Sequence, residues 1–457
     1  MVRFGWLKVL VMVALGLALA LGERRGTAQV LVIDKPPSEA ARLTLGAQLG
    51  HPVVLADRKQ LTFLKIGLEG IAREAGVRRA PINVAIVLDR SSSMSGDRLD
   101  KAKQAASLVV EELTADDIVS VVAYNDTVSV IVPAVQARQP AEITRQIAAL
   151  EASGTTALFA GVAKGAHEVS KYVEQNRVNR VVLLSDGMAN VGPSSPGELS
   201  ELGQALAKQG ISVTTIGLGD GYNEDLMVAL ARASDGNHGY ARTADDLSRI
   251  FKLEFASQAD VVARDVRVTV RFADGVRPVR ALGREAEITG SVVSARVNEL
   301  YPKQERYLLL EVEMPVGAAG QRKPVATVDA RYVDPVSRVS RTVSSTVDVG
   351  FSDSASEVDS HLNKDVMSTG ATLVANEANK QAVTLRDQGK TDEAVALLEN
   401  NAVFLEQKAR EYGNERLRKE AEFNRQQKKA MPAPAWHDSR KEMRKRQFQA
   451  DYAPAEL

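Results

Sequence analysis

The chain has 457 residues, and its 58 Lys and Arg are balanced by 58 Asp and Glu, so no global charge draws it to nucleic acid or an anionic surface. It contains no cysteine, which excludes disulfides, thiolate metal sites, iron–sulfur clusters, a cysteine nucleophile and a lipid-modified N-terminal cysteine. The length accommodates about three domains.

Residues 1–8 carry Arg3 and Lys8, and residues 9–21 are almost wholly apolar. That apolar core is shorter than the roughly 20 residues needed to cross a bilayer. Residues 1–28 therefore read as a secretory signal peptide cleaved after Ala28, and predict export to the periplasm or the extracellular space. Glu23, Arg24 and Arg25 after the core leave an uncleaved membrane anchor as the alternative.

Residues 60–69 are strand-like, with Leu61, Phe63, Ile66 and Leu68 as core candidates and a break of phase in the middle. Residues 81–258 alternate apolar strands (82–88, 118–124, 128–132, 181–185, 211–218) with amphipathic helices (97–113, 140–150, 157–174, 196–209, 223–233, 243–257). This cadence predicts an α/β fold, a doubly wound and mostly parallel sheet with helices on both faces. A hairpin turned at Asn125-Asp126 adds an antiparallel edge strand. Residues 259–352 alternate with period two, most clearly at Val266, Val268, Val270 and Phe272, and predict an antiparallel β-sandwich. The strand at 60–69 has no sheet of its own, so residues 29–80 are assigned to that sandwich and the α/β domain becomes an insertion in it. Residues 353–412 read as a tetratricopeptide-like helical hairpin around Gly389-Lys390; one such unit cannot bury its own apolar face. Residues 413–457 hold 11 Lys and Arg against 7 Asp and Glu, with Pro432 and Pro434, and read as a basic, disordered tail.

The chemistry is concentrated after the first strand of the α/β segment. Asp89, Ser91 and Ser93 set three oxygen donors at i, i+2 and i+4 on a polar turn. Open parallel sheets bind ligands outside the carboxyl ends of their strands. Two further turns project onto the same rim: Ser153-Gly154-Thr155-Thr156 and Ser185-Asp186-Gly187. Asp89, Ser91, Ser93, Thr155 and Asp186 together supply two carboxylates and three hydroxyls, a set that suits Mg²⁺ (or Mn²⁺ or Ca²⁺) and not zinc. The Asp89 turn alone reads equally well as a helix cap, and Asp186-Gly187 alone reads better as a plain turn; three turns on one rim favour a metal. A serine nucleophile is the rival, but it needs a base and an oxyanion hole, and no motif brings His51, His167, His238 or His361 to it. Arg90 reads as solvated and His238 as structural.

The ordered set Asp89-x-Ser91-x-Ser93, Gly154-Thr155 and Ser185-Asp186-Gly187 resembles the metal-ion-dependent adhesion site of von Willebrand factor type A domains. The wider arrangement resembles exported bacterial members of that family. The resemblance implies that Ser91 and Ser93 ligate the ion directly, Thr155 when a partner is bound, and Asp89 and Asp186 directly or through water. Ser92 and Ser153 stand where the family commonly has glycine, which alters the turns and removes no ligand oxygen. The implied function is that of a non-enzymatic adhesion module: a protein partner offers an Asp or Glu carboxylate to an open position on the ion. Neither nucleic acid nor a small-molecule substrate takes part, and membrane contact is confined to an uncleaved N-terminal segment. The alternative is an envelope scaffold whose metal is incidental. The resemblance also implies that the domain's last helix, from Asp245 toward the sandwich at Val261, shifts when a partner binds.

Overall fold

The computed structural model describes residues 41–452 apart from 73–79, 174–176, 188, 220–221, 242, 244–245, 248, 251–260 and 433–435. The expected export segment and most of the expected helix at 243–257 lie outside the described residues.

Three strands come first: β1 (Leu43–Leu49), β2 (Val53–Leu55) and β3 (Gln60–Gly70). In β3 the even positions Thr62, Leu64, Ile66 and Leu68 are buried, while Leu61 is 54% exposed. The alternation is unbroken, and the expected core position at Leu61 is incorrect. Phe63 lies on the opposite face, packed with Leu309, Val366 and Leu373. The apparent break of phase arises because both faces of this strand are covered.

The chain then builds the α/β domain: β4 (Ile82–Asp89), α1 (Asp97–Glu112), β5 (Ile118–Tyr124), β6 (Val128–Gln136), α2 (Pro140–Ala148), α3 (Leu158–Ser170), β7 (Val178–Ser185), α4 (Pro196–Lys208), β8 (Ser212–Leu218), α5 (Glu224–Ala233) and β9 (His238–Ala241). The sheet order is β6-β5-β4-β7-β8-β9. Only β6 is antiparallel to its neighbour, on the edge where the hairpin places it. β4, β5, β7 and β8 are buried along their whole length, as strands covered on both faces must be. One apolar cluster joins the sheet to α1 and α2, and a second joins it to α3, α4 and α5. From β4 the chain runs first to β5 and returns to β7 on the other side. The order therefore reverses between β4 and β7, which puts the binding crevice at their carboxyl ends.

Seven strands follow: β10 (Ala263–Phe272), β11 (Arg277–Leu282), β12 (Glu287–Thr289), β13 (Val292–Leu300), β14 (Glu305–Met314), β15 (Arg322–Val333) and β16 (Ser340–Ser352). They combine with the first three into two sheets, β1-β3-β14-β11 and β12-β13-β10-β15-β16-β2. One apolar core lies between these sheets. Strands from before and after the α/β domain share both sheets, so that domain is an insertion.

The chain ends in helices: α6 (Ala355–Ser360), α7 (Lys364–Asp387), α8 (Thr391–Tyr412), α9 (Glu415–Ala430) and α10 (Trp436–Tyr452). The expected hairpin is α7 and α8. The expected disordered tail is corrected to α9 and α10. Gly413, at φ 66°, stops α8 and Asn414 caps α9 through Leu417 N. Several basic residues of this segment have acidic partners on other helices: Arg425 pairs with Glu406, Lys428 with Glu399 at 2.8 Å, and Arg446 with Glu420 at 3.5 Å. Its few apolar side chains, among them Leu417, Met443, Phe448 and Tyr452, are buried. α7 packs on the sandwich through Val366 and Leu373, and α9 and α10 cover the rest of the hairpin.

α10 also binds the α/β domain. Arg440 pairs with Glu224, Asp225 and Asp387, the last at 2.8 Å, and Phe448 and Tyr452 pack on Ala231. Replacing Arg440 with Ala leaves Glu224, 3% exposed, without its partner and should cost about 3 kcal/mol. Chemical denaturation measures this, and a loss below about 0.5 kcal/mol would show the clamp to be ornamental.

His238 faces Phe448 edge-on and bonds Thr215 Oγ1 at 2.9 Å and Tyr222 OH at 3.3 Å. Burial, with a smaller contribution from the charge of Lys445, pushes its pKa down to about 3. The unfolded chain takes up this proton near pH 6.5. Stability from the neutral ring is therefore present above that pH and lost as pH falls toward 3, by about 2 kcal/mol between pH 7 and 5. His238→Gln should flatten the pH dependence of the unfolding free energy by that amount, and identical slopes in the two proteins would refute the assignment.

Candidate metal centre

The rim is built where β4 and β7 end. Asp89, the last residue of β4, is fully buried. Its Oδ1 accepts from Ser91 N at 2.9 Å, and its Oδ2 accepts from Ser185 Oγ at 2.6 Å and Tyr124 OH at 3.3 Å. Burial raises its pKa, and the Ser185 and Ser91 bonds oppose that rise. Asp186, just past β7, is also fully buried. Among the described residues its Oδ1 has no hydrogen-bond partner, and its Oδ2 stands 3.5 Å from Arg98 Nη1. Ser185 Oγ accepts from Gly187 N at 2.7 Å, so one hydroxyl connects both loops. Gly187 adopts φ 68°, and a Cβ there would meet Asn223 N at 2.8 Å; the turn that presents Asp186 requires glycine.

After Asp89 the chain makes a single 3-10 turn, Ser92–Met94, pinned by buried Met94. Ser91 is 1% exposed, Ser93 is exposed, and their hydroxyls lie 3.0 Å apart. The third loop is attached to both others. Ser92 N donates to Gly154 O at 3.0 Å and Ser153 N to Arg90 O at 2.8 Å. Thr156 N donates to Asn190 Oδ1 at 2.8 Å, and Thr156 O accepts from Asn190 N at 3.1 Å and Val191 N at 3.2 Å.

The structure therefore brings together the turns of Asp89, Ser91, Ser93 and Asp186. Thr155 is exposed, whereas its neighbour Thr156 is 2% exposed and fixed to the Asp186 loop. Sequence spacing could not separate two consecutive threonines in an irregular loop. Arg90 is not free in solvent: it bonds Ser153 Oγ at 3.3 Å and Asn125 Oδ1 at 3.4 Å. Sequence spacing gives no signal for Tyr124, Asn190 or Arg98, and names Ser185 only as part of the Ser185-Asp186-Gly187 turn, with no role of its own.

The donors fit a hard divalent ion. Among the described residues no three His, Cys, Asp or Glu side chains gather at one point, so this rim offers two carboxylates and must complete its shell with hydroxyls and water. Mg²⁺ is commonly held in that way. A buried carboxylate oxygen without a partner is costly, and a cation at Asp186 Oδ1 removes the cost.

A profile of the von Willebrand factor type A domain matches residues 83–299. An uncharacterized Synechocystis protein is 30% identical over 270 residues, 57% of this chain and 63% of that protein. Human inter-alpha-trypsin inhibitor heavy chain H3 is 27% identical over 175 residues, 36% of this chain and 19% of that protein. The chain spans less than two thirds of the length of these curated relatives. Among solved structures, a von Willebrand factor type A protein from Catenulispora acidiphila superposes with a TM-score of 0.69 at 15% identity, over 92% of this chain and 99% of that one. That match extends the likeness in fold well beyond the α/β domain. The profile identifies a von Willebrand factor type A domain within residues 83–299, and the fold agrees, with that domain set into a β-sandwich and followed by helices.

Proposed function

We propose that this chain is a divalent-metal-dependent protein-binding module of the cell envelope. Asp186 carries the proposal: it is fully buried beside Asp89 and keeps one oxygen without a partner. Domains of this family act generally as interaction modules. Asp89 and Asp186 would supply the charge, Ser91 and Ser93 two hydroxyls, and the Thr155-Thr156 pair a third. Of that pair, Thr156 is the better placed, because both its backbone groups are tied to the Asp186 loop. Held by these residues, a Mg²⁺, Mn²⁺ or Ca²⁺ would supply an electrophilic charge that an Asp or Glu carboxylate of a protein partner could meet. Ser91 and Ser93 bond to each other, and His238 is engaged with Thr215 and Tyr222, which disfavours the serine-nucleophile reading. Export through residues 1–28 would place the module in the periplasm or outside the cell, anchored where that segment stays uncleaved.

Thermal unfolding in Mg²⁺, Mn²⁺, Ca²⁺ or EDTA tests the site. The wild-type protein should gain about 2.7 kcal/mol at a hundredfold excess of metal over Kd. Asp186→Asn should abolish that gain, yet match or exceed wild type in EDTA, because it removes a buried charge that Arg98 compensates on one oxygen only. Loss of stability in EDTA together with an intact metal shift would sink the proposal.

The threonines are separable. Thr156→Val should weaken metal binding about tenfold while Thr155→Val leaves it within about twofold, given that one lost ligand hydrogen bond or contact is worth roughly 1–2 kcal/mol. Calorimetric titration with Mn²⁺ reads both, and the reverse order would return the role to Thr155.

A further inference from the structure

Arg98 lies in the first turn of α1 and reaches across the rim. Its Nη1 donates to Ser93 O at 3.0 Å and stands 3.5 Å from Asp186 Oδ2. Beyond β8, Gly219 adopts φ 73°, and a Cβ there would lie 2.8 Å from Arg98 Nε. A missing side chain thus opens the slot in which the guanidinium lies. Three rim elements fix this cation: the turn after β4, the end of β7 and the end of β8. Asp186 is divided accordingly, one oxygen turned to Arg98 and the other buried without a partner.

We propose that Arg98 is a tethered counter-charge that weakens the rim's hold on a divalent ion and sets the loaded rim to accept a single carboxylate. This rests on the metal-binding reading above. Asp89 and Asp186 bring two negative charges and Arg98 one positive. Arg90 and Asp126, also on the rim, offset each other, so the metal-loaded rim carries one net positive charge, and one Asp or Glu carboxylate returns it to neutrality. Without Arg98 the loaded rim is already neutral, and an arriving carboxylate leaves it negative. The same guanidinium repels the ion, since both share Asp186 and like charges at such range interact strongly even in a partly solvated setting. The design trades metal affinity for affinity toward an acidic partner.

The test uses the metal alone, with Mg²⁺ and Mn²⁺ titrated calorimetrically into wild type, Arg98→Gln and Arg98→Lys. Arg98→Gln keeps a donor for Ser93 O but removes the charge, and should bind metal about tenfold more tightly. Arg98→Lys keeps the charge and should stay close to wild type. Unchanged or weaker binding by Arg98→Gln, with wild type binding normally, overturns the counter-charge and leaves the metal site standing. If neither protein binds either ion, the metal reading itself fails and this inference with it.

Discussion

Two carboxylates buried side by side at the point where the sheet order reverses constrain the rest of this molecule. Burying a charge costs several kcal/mol unless donors or a counter-ion compensate it. Asp89 is compensated within the fold, by Ser91 N, Ser185 Oγ and Tyr124 OH. Asp186 is compensated on one oxygen only, and from a distance, by Arg98. That asymmetry makes Asp89 a fixed post and Asp186 the residue whose environment calls for a cation. The three loops around them are joined backbone to backbone, through Ser92 to Gly154, Ser153 to Arg90 and Thr156 to Asn190 and Val191. A rim connected in this way holds its donors in position before any ligand arrives, which reduces the entropy lost on binding.

Much of this could be read from the chain because the relevant signals are local and redundant. Continuous apolar runs such as 82–88 and 181–185 mark doubly covered strands, and the polar turns that follow them fall on one rim by topology alone. The donor turns were legible because three of them occur in the right order. The choice between Thr155 and Thr156 was not legible, because which side chain is buried in an irregular loop depends on Asn190, 34 residues further on. Arg98 was hidden for a different reason: an arginine in the first turn of an amphipathic helix looks like any solvated charge, and its partners Ser93 and Asp186 meet only in the folded rim.

Beyond the domain, sequence reading failed where one residue serves two environments. Phe63 seemed to break the phase of β3 because the strand's second face is covered by α7. The C-terminal segment seemed too polar to fold because its apolar side chains are sparse and its charges are numerous. Composition counts those charges as solvated, but Arg440 meets acids more than two hundred residues away and Lys441 lies buried over Tyr222. Disorder follows from charge only when the charges lack partners, and pairing across such sequence distances cannot be read from the tail itself.

The contacts between the inserted domain and its host include several buried polar ones. Arg180, 2% exposed, reaches Glu299 and Tyr301 OH; Arg284 Nη1 bonds Asp235 Oδ1 at 2.6 Å; Asn298 Nδ2 bonds Ser234 O at 2.9 Å. Buried ionic contacts of this kind contribute less net stability than an apolar interface of the same size, but they are strongly selective for one geometry. α5 is held on three sides by the same logic. Its cap Asn223 abuts Gly187 beside the rim, its first residues Glu224 and Asp225 are gripped by Arg440, and Arg232 near its end bonds Tyr452 OH at 3.2 Å. Partner capture as proposed above would need a rim with a fixed bearing on the rest of the chain, and a junction of oriented hydrogen bonds supplies direction where an apolar surface would permit sliding. α10 is therefore coupled to the rim through α5, and it packs on β9 as well, where Phe448 meets His238.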